Sequence, residues 1–358
     1  MGKIEIVGLG AGDWNQLPVG VFKQLQEHTN IFLRTKEHPV VEELEKNGIH
    51  YRDFDNLYER ESSFENVYQE IAKELLAQAK EKDVLYAVPG HPMVAEDSVK
   101  QLLHNTEEIS VEILGGKSFL DDFFQAVDVD PIEGFQLVDG LRMDSDYLNL
   151  NNHLIVMQVY NDLVAGDVKL ELMEKYPDEH RVALVDAAGT SQERVEWMPL
   201  YEMDRIEGVH NLLSVYVPPL VRDEQTKSFA TTQAYMDAIH AGDIWVQAQN
   251  HKTLLPYLIE ETDEVAQAIK EEDVDNLVEE LGDVLLQIFY HAGYGENQGT
   301  FSMEDILENL NRKLRRRHPH VFDNYPVDSM EDIDEMWQMI KAKEKEMNNE
   351  KENEDEIR

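Results

Sequence analysis

The sequence predicts a multidomain protein, an N-terminal α/β domain followed by a C-terminal all-α helical bundle. Three observations predict it. The 358 residues suffice for two cores of ordinary size. As far as Pro219, short apolar or β-branched runs alternate with amphipathic helical stretches. Beyond Thr231 the β signature vanishes, and apolar residues recur at three- and four-residue spacing. The expected boundaries are an α/β domain over 1–221, a linker over 222–230, a bundle over 231–347 and a charged tail over 348–358.

The expected strands are 4–9, 31–33, 84–88, 111–114, 154–159, 182–185 and 212–217, with helices between them such as 63–80 and 118–127. Strands separated by helices imply a largely parallel sheet, closed by Pro218 and Pro219. The polar stretch around 222–228 reads as the linker. In the bundle, Val274, Leu277, Val278, Leu281, Leu285 and Ile288 form an apolar helical stripe. Ser302 with Asp305 and Ser329 with Asp332 have the spacing of capping boxes. The residues from 348 onward are charged and lack apolar anchors, which predicts a frayed end.

Composition narrows the function. With 42% hydrophobic and 8% aromatic residues the chain is globular. The 32 basic and 73 acidic residues give a net charge of -41, a field that repels nucleic-acid backbones and anionic membranes. Any phosphate substrate then needs metal ions or a few well-placed cations. Cysteine is absent, so disulfides, thiolate zinc sites and cysteine nucleophiles are excluded. The start, Met-Gly-Lys-Ile-Glu-Ile-Val-Gly, reads as a strand entering a glycine turn rather than a signal peptide, and no apolar run would span a bilayer. A cytoplasmic protein is expected.

The most informative stretch is 251–292. Glu261 and Glu264 are three apart on one predicted helix, preceded by Glu260, and Glu280 and Asp283 are three apart on the next. Reversal near 270–273 would pair these helices antiparallel and bring the acids together. Four facing carboxylates repel one another unless a cation lies between them, and hard oxygen ligands suit magnesium or manganese. On spacing alone a second reading stands, solvated faces of an acidic protein. Asp283, flanked by Leu281, Val284 and Leu285, favours the metal site. Gly282 costs about 1 kcal/mol against alanine in mid-helix, which implies close approach by a neighbour or ligand.

Lys313 and Arg317 share a helix face and are suited to phosphate oxygens; the other reading is a helix C-terminus stabilised by cations before Pro319. Trp337 and Lys341, four apart on the last helix, suit a base and a phosphate, or a core tryptophan beside a surface lysine. His318 and His320 read as structural.

Glu-Glu-Thr-Asp-Glu, Glu-Leu-Gly-Asp and Arg-Arg-His-Pro-His-Val-Phe, in this order, resemble the MazG family of nucleoside triphosphate pyrophosphohydrolases over about 242–345. The resemblance implies an all-α fold in which Glu261, Glu264, Glu280 and Asp283 hold magnesium and Glu260 supports them. It implies phosphate or substrate contacts for Lys313, Arg317, Trp337 and Lys341. The family's Cys-Pro-Trp-Asp segment is replaced by Asp243-Ile244-Trp245-Val246, although Trp245, Gln249 and His251 persist. The implied reaction cleaves a nucleoside triphosphate to monophosphate and pyrophosphate, with Glu260 or Glu264 the candidate for orienting the attacking water.

Three glycine turns follow strands in the first domain: Gly8-Leu9-Gly10-Ala11-Gly12-Asp13, Gly90-His91-Pro92 and Gly115-Gly116-Lys117-Ser118. The first lacks the dinucleotide fingerprint spacing, and each alone is an ordinary βα turn. Together they would converge at the carboxyl edge of a sheet, where α/β folds bind ligands. In this order they resemble the tetrapyrrole (corrin/porphyrin) methylase family over about 3–219, a two-lobed α/β fold that binds S-adenosylmethionine. The resemblance carries cofactor contacts onto Gly8, Gly10, Gly12, Asp13, Gly90, Pro92, Gly116 and Ser118, with His91 replacing an acid. The combination resembles fused methylase–MazG proteins. The expectation is a magnesium-dependent pyrophosphohydrolase, at least dimeric, with a methylase-like domain of unknown acceptor. The competing expectation is an S-adenosylmethionine-dependent methyltransferase whose helical domain serves oligomerisation or nucleotide sensing.

Overall fold

A strand in which every residue is apolar must be covered on both faces, and two such strands, Ile31–Leu33 and Val84–Val88, stand inside the first sheet of this chain. The structure, a computed structural model, describes residues 2–105, 109–205 and 212–356, with side chains through residue 344. It divides into two units, Met1–Lys227 and Ser228–Arg358. The first unit begins with β1 (Ile4–Gly8), α1 (Val19–Glu27), β2 (Ile31–Leu33), α2 (Val41–Lys46) and β3 (Arg52–Asp53). It continues with α3 (Asp55–Arg60), α4 (Phe64–Ala79), β4 (Val84–Val88), α5 (Asp97–Leu103) and β5 (Val111–Gly115). These strands form a fully parallel sheet in the order β3-β2-β4-β1-β5. Along β4, Val84, Tyr86 and Val88 enter one core and Leu85 and Ala87 the other, the period of two that a pleated strand imposes. Ser63 caps α4 by accepting from the Asn66 amide, as its expected start requires.

The second sheet corrects the expectation of a largely parallel one. After α6 (Phe119–Val127) come β6 (Phe135–Asp139), β7 (His153–Met157), α7 (Asp162–Met173), β8 (Arg181–Asp186), β9 (Arg194–Pro199) and β10 (Leu213–Val217). Their order is β6-β7-β10-β8-β9, and only β6 and β7 run parallel. The short turn over 187–193 has no crossover helix, so β8 and β9 must pair antiparallel. Residues 222–227, expected in the linker, stay with this unit, because the buried Gln225 amide donates to the Leu220 carbonyl (2.6 Å) and to Asn151 Oδ1 (2.9 Å).

The second unit is helical: α8 (Phe229–Gly242), α9 (Ile244–Gln247), α10 (His251–Glu271), α11 (Val274–Gln298), α12 (Met303–Arg317), α13 (Pro319–Phe322) and α14 (Met330–Glu356). Each long helix is started by a side chain: Ser228 on α8, Asn250 with Thr253 on α10, Asp273 on α11, and Ser302 with Asp305 on α12. Ser329 accepts from the Asp332 amide, while the Asp332 carboxylate returns to the amide of Asp328. Phe289, Ala292, Met236 and Met303 form the core, with a smaller cluster of Val246, Leu254 and Tyr294. The apolar stripe expected on α11 does not enter these cores, since Val274, Val278, Leu281, Leu285 and Ile288 are all exposed. At Gly282 no neighbouring helix among the described residues makes the expected close approach, since none comes within 4 Å of the Cβ it lacks. Where a frayed tail was expected the backbone is helical to Glu356, in a stretch rich in good helix formers without glycine or proline; residues 357–358 of that tail lie outside the described residues. No helix among the described residues is long and apolar enough to cross a membrane.

The turns after β1, β4 and β5 meet. Gly10 and Gly90 exchange backbone hydrogen bonds (3.1 and 2.8 Å), and a Cβ on Gly8 would stand 2.2 Å from the Gly90 oxygen. A Cβ on Gly116 would stand 2.7 Å from the Gly8 Cα. Glycine is required there because backbone packs directly on backbone. Gly8→Ala is expected to lower the stability of this unit by about 1–3 kcal/mol through overpacking. Gly20→Ala, in α1 with nothing within 4 Å, should be neutral or stabilising by up to about 1 kcal/mol. Urea unfolding measures both, and equal midpoints for the two variants would refute the packing account.

Candidate functional site

Two helices joined by a tight reversal place the acids. Glu272, in the left-handed conformation, closes α10, and Asp273 opens α11 by accepting from the Asn276 amide. The resulting hairpin brings Glu261 and Glu264 on α10 against Glu280 on α11, with one oxygen from each lying within 4.8 Å of the others. Asp283 lies outside this group of oxygens but close enough to act on Glu261. Desolvation by packing, then Asp283, Glu264, Glu280 and Glu260, hold the Glu261 carboxyl above its ordinary value. Desolvation followed by Glu264 and Asp283 raises Glu280 as well. Glu260 itself is exposed and adds to the charge without joining the cluster. Three to four hard oxygen donors with no cation among them match what magnesium or manganese requires, so these residues fit such an ion.

The cationic end is more differentiated than sequence spacing implies. Lys313 is half-buried and Lys341 exposed, and neither has a partner among the described residues. Arg317 donates from Nε to Glu344 Oε1 (3.1 Å) and from Nη2 to Oε2 (2.6 Å). Arg316 donates from Nε to the same Oε1 (2.6 Å). The two guanidinium groups hold the Glu344 carboxyl far down, to about 2. Trp337 donates its indole N–H to the Arg317 carbonyl (3.0 Å) and meets the His318 ring edge-on at 6.0 Å. The bond fastens α14 to the end of α12, while the ring stays 36% exposed and so is not the core tryptophan that the spacing also allowed. Glu344 was missed by sequence reasoning; it lies on the same helix face as Trp337 and Lys341, at i, i+4 and i+7. Also missed was the pairing of His251 with His291, whose Nδ1 atoms are 2.8 Å apart in stacked rings.

In the first unit the expected cofactor residues Gly8, Gly10, Gly90, Pro92 and Gly116 are together at the carboxyl edge of the parallel sheet. Gly12 and Asp13 follow in the first turn, which reaches Gly189 through Gln16, whose amide donates to the Gly189 carbonyl (2.6 Å). Ser118 caps α6 by accepting from the Leu120 amide (3.2 Å). His91, standing where the family has an acid, accepts the Met93 amide on Nδ1 (3.2 Å), the bond an aspartate makes in an Asx turn, so the turn survives the replacement. Gly90 and Gly115 have positive φ and open space where a Cβ would stand. Bare backbone facing open space fits close approach of a ligand such as S-adenosylmethionine.

Residues 3–204 match the Tetrapyrrole (Corrin/Porphyrin) Methylases, and residues 249–322 match the MazG nucleotide pyrophosphohydrolase domain. The "Uncharacterized protein YabN" of Bacillus subtilis (strain 168) is 45% identical over 349 residues, 96% of this chain and 71% of the relative. The "Nucleoside triphosphate pyrophosphohydrolase/pyrophosphatase MazG" of Thermotoga maritima is 48% identical over 101 residues, 28% of this chain and 38% of the relative. The "Nucleoside triphosphate pyrophosphohydrolase" of Escherichia coli (strain K12) is 40% identical over 101 residues, again 38% of the relative. Among solved structures, the uroporphyrin-III-C-methyltransferase of Thermus thermophilus is 21% identical at a TM-score of 0.49, covering 61% of this chain and 95% of that one. With more than half of its length matched by the first family and a MazG domain following, the chain belongs to the tetrapyrrole (corrin/porphyrin) methylases, in the fused methylase–MazG form.

Proposed function

We propose that the helical unit hydrolyses nucleoside triphosphates to monophosphates and pyrophosphate with magnesium or manganese, as a cytoplasmic homo-oligomer. The first unit is then an S-adenosylmethionine-dependent methylase domain of unknown acceptor. The observation that carries the hydrolase reading is the group of oxygens from Glu261, Glu264 and Glu280 within 4.8 Å of one another on facing helices. The names of the Thermotoga and Escherichia relatives support it.

In this reading Glu261, Glu264, Glu280 and Asp283 would hold the ion, which when bound would supply an acidified water and neutralise charge on the leaving pyrophosphate. A free carboxylate edge of Glu260 or Glu264 orients the water toward the α-phosphorus. Lys313 and Arg317 bind phosphate oxygens, where each donor counts most as negative charge shifts to the leaving group. Trp337 and Lys341, on the last helix, contact the base and a phosphate of the substrate in the same reading. In the methylase domain the glycine turns hold donor and acceptor in line, which is most of what methyl transfer asks of a protein.

The exposed stripe on α11 supports association. Val278 is 68% and Leu281 52% exposed, while the unit's own cores are small. A second copy laid on this face would also supply the neighbour that Gly282 lacks. The same stripe is what favours the other reading, a methyltransferase whose helical unit serves assembly.

Three outcomes are expected. With magnesium, the protein releases pyrophosphate from nucleoside triphosphates, and Glu264→Gln or Asp283→Asn lowers the rate beyond about 100-fold, more than loss of an outer-shell partner costs. Unchanged turnover in both variants would exclude the site and leave the methyltransferase reading, which calorimetry with S-adenosylmethionine tests directly. The second outcome concerns pH. Raised carboxyls on Glu261 and Glu280 stabilise the fold below the ordinary value of 4.5, and that contribution is lost as pH rises through the raised value. Thermal unfolding in chelator should therefore show the parent falling behind Glu280→Gln as pH rises from 4.5, with manganese restoring the parent only. Superimposable profiles would contradict the mutual repulsion. Third, Leu281→Glu should shift the sedimentation profile to the monomer, whereas an unaltered profile would remove that face from the interface.

A further inference from the structure

We propose that Glu344 is a positioning residue: it takes one edge of the Arg317 guanidinium and holds the opposite fork ready for a phosphate of the substrate. The inference rests on the hydrolase reading of the helical unit. Arginine has two edges able to make paired hydrogen bonds, the side edge of Nε with Nη2 and the end fork of Nη1 with Nη2. Glu344 occupies the side edge of Arg317 (3.1 and 2.6 Å). The remaining N–H groups of Arg317, the end fork included, have no partner among the described residues.

Arg315 shows the contrary arrangement two residues away. Its Nη1 donates to Asp323 Oδ2 (2.6 Å) and its Nη2 to Oδ1, so its end fork is spent, and its guanidinium lies over the Phe322 ring at 5.1 Å. The two arginines share a helix end, and of the two it is Arg317 whose end fork stays open to a second anion, whereas Arg315 keeps only its side edge. Glu344 is well placed to hold it. Its side chain is only 16% exposed against 33% for Arg317, and Arg316 shares its Oε1. Its helix is fastened by the Trp337 bond to the Arg317 carbonyl. One carboxylate between two guanidinium groups leaves net positive charge at the place where phosphate must be drawn in. The chemical class recognised is a polyphosphate, through the oxygens of one terminal or bridging phosphate.

The test uses the full chain and the probe inorganic tripolyphosphate with magnesium, measured by calorimetry, beside steady-state pyrophosphate release and thermal unfolding. Glu344→Ala is expected to weaken tripolyphosphate binding and raise KM about tenfold, with kcat changed by less than about twofold, and Glu344→Gln to fall between. In an Arg317→Ala background the Glu344 substitution should have no further effect on binding, because its action passes through that arginine. A merely structural contact would instead lower the melting temperature and cost the same in both backgrounds. Three results would overturn the proposal: affinity unchanged in Glu344→Ala, affinity increased because the carboxylate competes with phosphate, or no tripolyphosphate binding by the parent. Tripolyphosphate binding that still depends on Glu344 in a parent that releases no pyrophosphate would uphold the positioning role and count against the hydrolase reading alone.

Discussion

The helical unit is organised around a repulsion. Glu261, Glu264 and Glu280 meet across one hairpin with Asp283 beside them, and no lysine or arginine is paired with any of the four among the described residues. Such a hairpin cannot be held together at its acidic middle, so it is held at its ends. Asn250 with Thr253 starts α10, Asp273 starts α11, and Gly299 in the left-handed conformation closes it. The buried contacts lie on the far half of α11, at Phe289, Ala292 and Tyr294. Caps and a displaced core together hold a charged middle in place, and in the proposed site a divalent cation would turn its cost into binding energy.

How far the sequence foretells this follows from where each signal originates. Strands with both faces buried are plain in the sequence: the expected 31–33 and 84–88 coincide with β2 and β4. The strands it does not reveal are β3, β6 and β9, all at sheet edges. An edge strand is sheltered on fewer sides and tolerates charge, so Arg52–Asp53 or Arg194–Pro199 carries no apolar run to detect. Helix periodicity located the acids on α10 and α11 because spacing and face are the same fact on a helix. Periodicity reports that a face is apolar, however, and not what covers it; the α11 stripe is plain in the sequence, yet most of it is exposed in the single chain. Arg317 illustrates a further limit. Its partner Glu344 lies on another helix, and no local rule links them.

The glycine turns carry two requirements at once. Gly8 and Gly116 are demanded by backbone packed on backbone, which would hold with no ligand. Gly90 and Gly115 are demanded by φ and face open space. A sequence motif merges the two, so its glycines are poor evidence individually for a binding site and good evidence collectively for a crowded strand edge. The His91 replacement makes the same point from the other side: the turn needs an acceptor for the Met93 amide, and an imidazole nitrogen serves as well as a carboxylate.

A chain of net charge -41 with a MazG domain, if it is to handle triphosphates as proposed, must separate long-range from short-range electrostatics. At physiological salt the Debye length is about 8 Å, so the surplus acts on encounter and fades within the site. What decides residence there is local, and α12 concentrates the means: Lys313, Arg315, Arg316 and Arg317 within two turns. Pairing then distributes their tasks. Arg315 is committed to Asp323 and shapes the helix end, whereas Glu344 draws on Arg316 and Arg317 without exhausting either. Lys313 is left as an unpaired point charge among the described residues, beside an oriented fork, and in the proposed reaction the two would follow charge as it moves to the departing pyrophosphate. The two acids that offset half of this cluster's charge therefore need not weaken it as the proposed anion site, because they decide which of its cations is aimed.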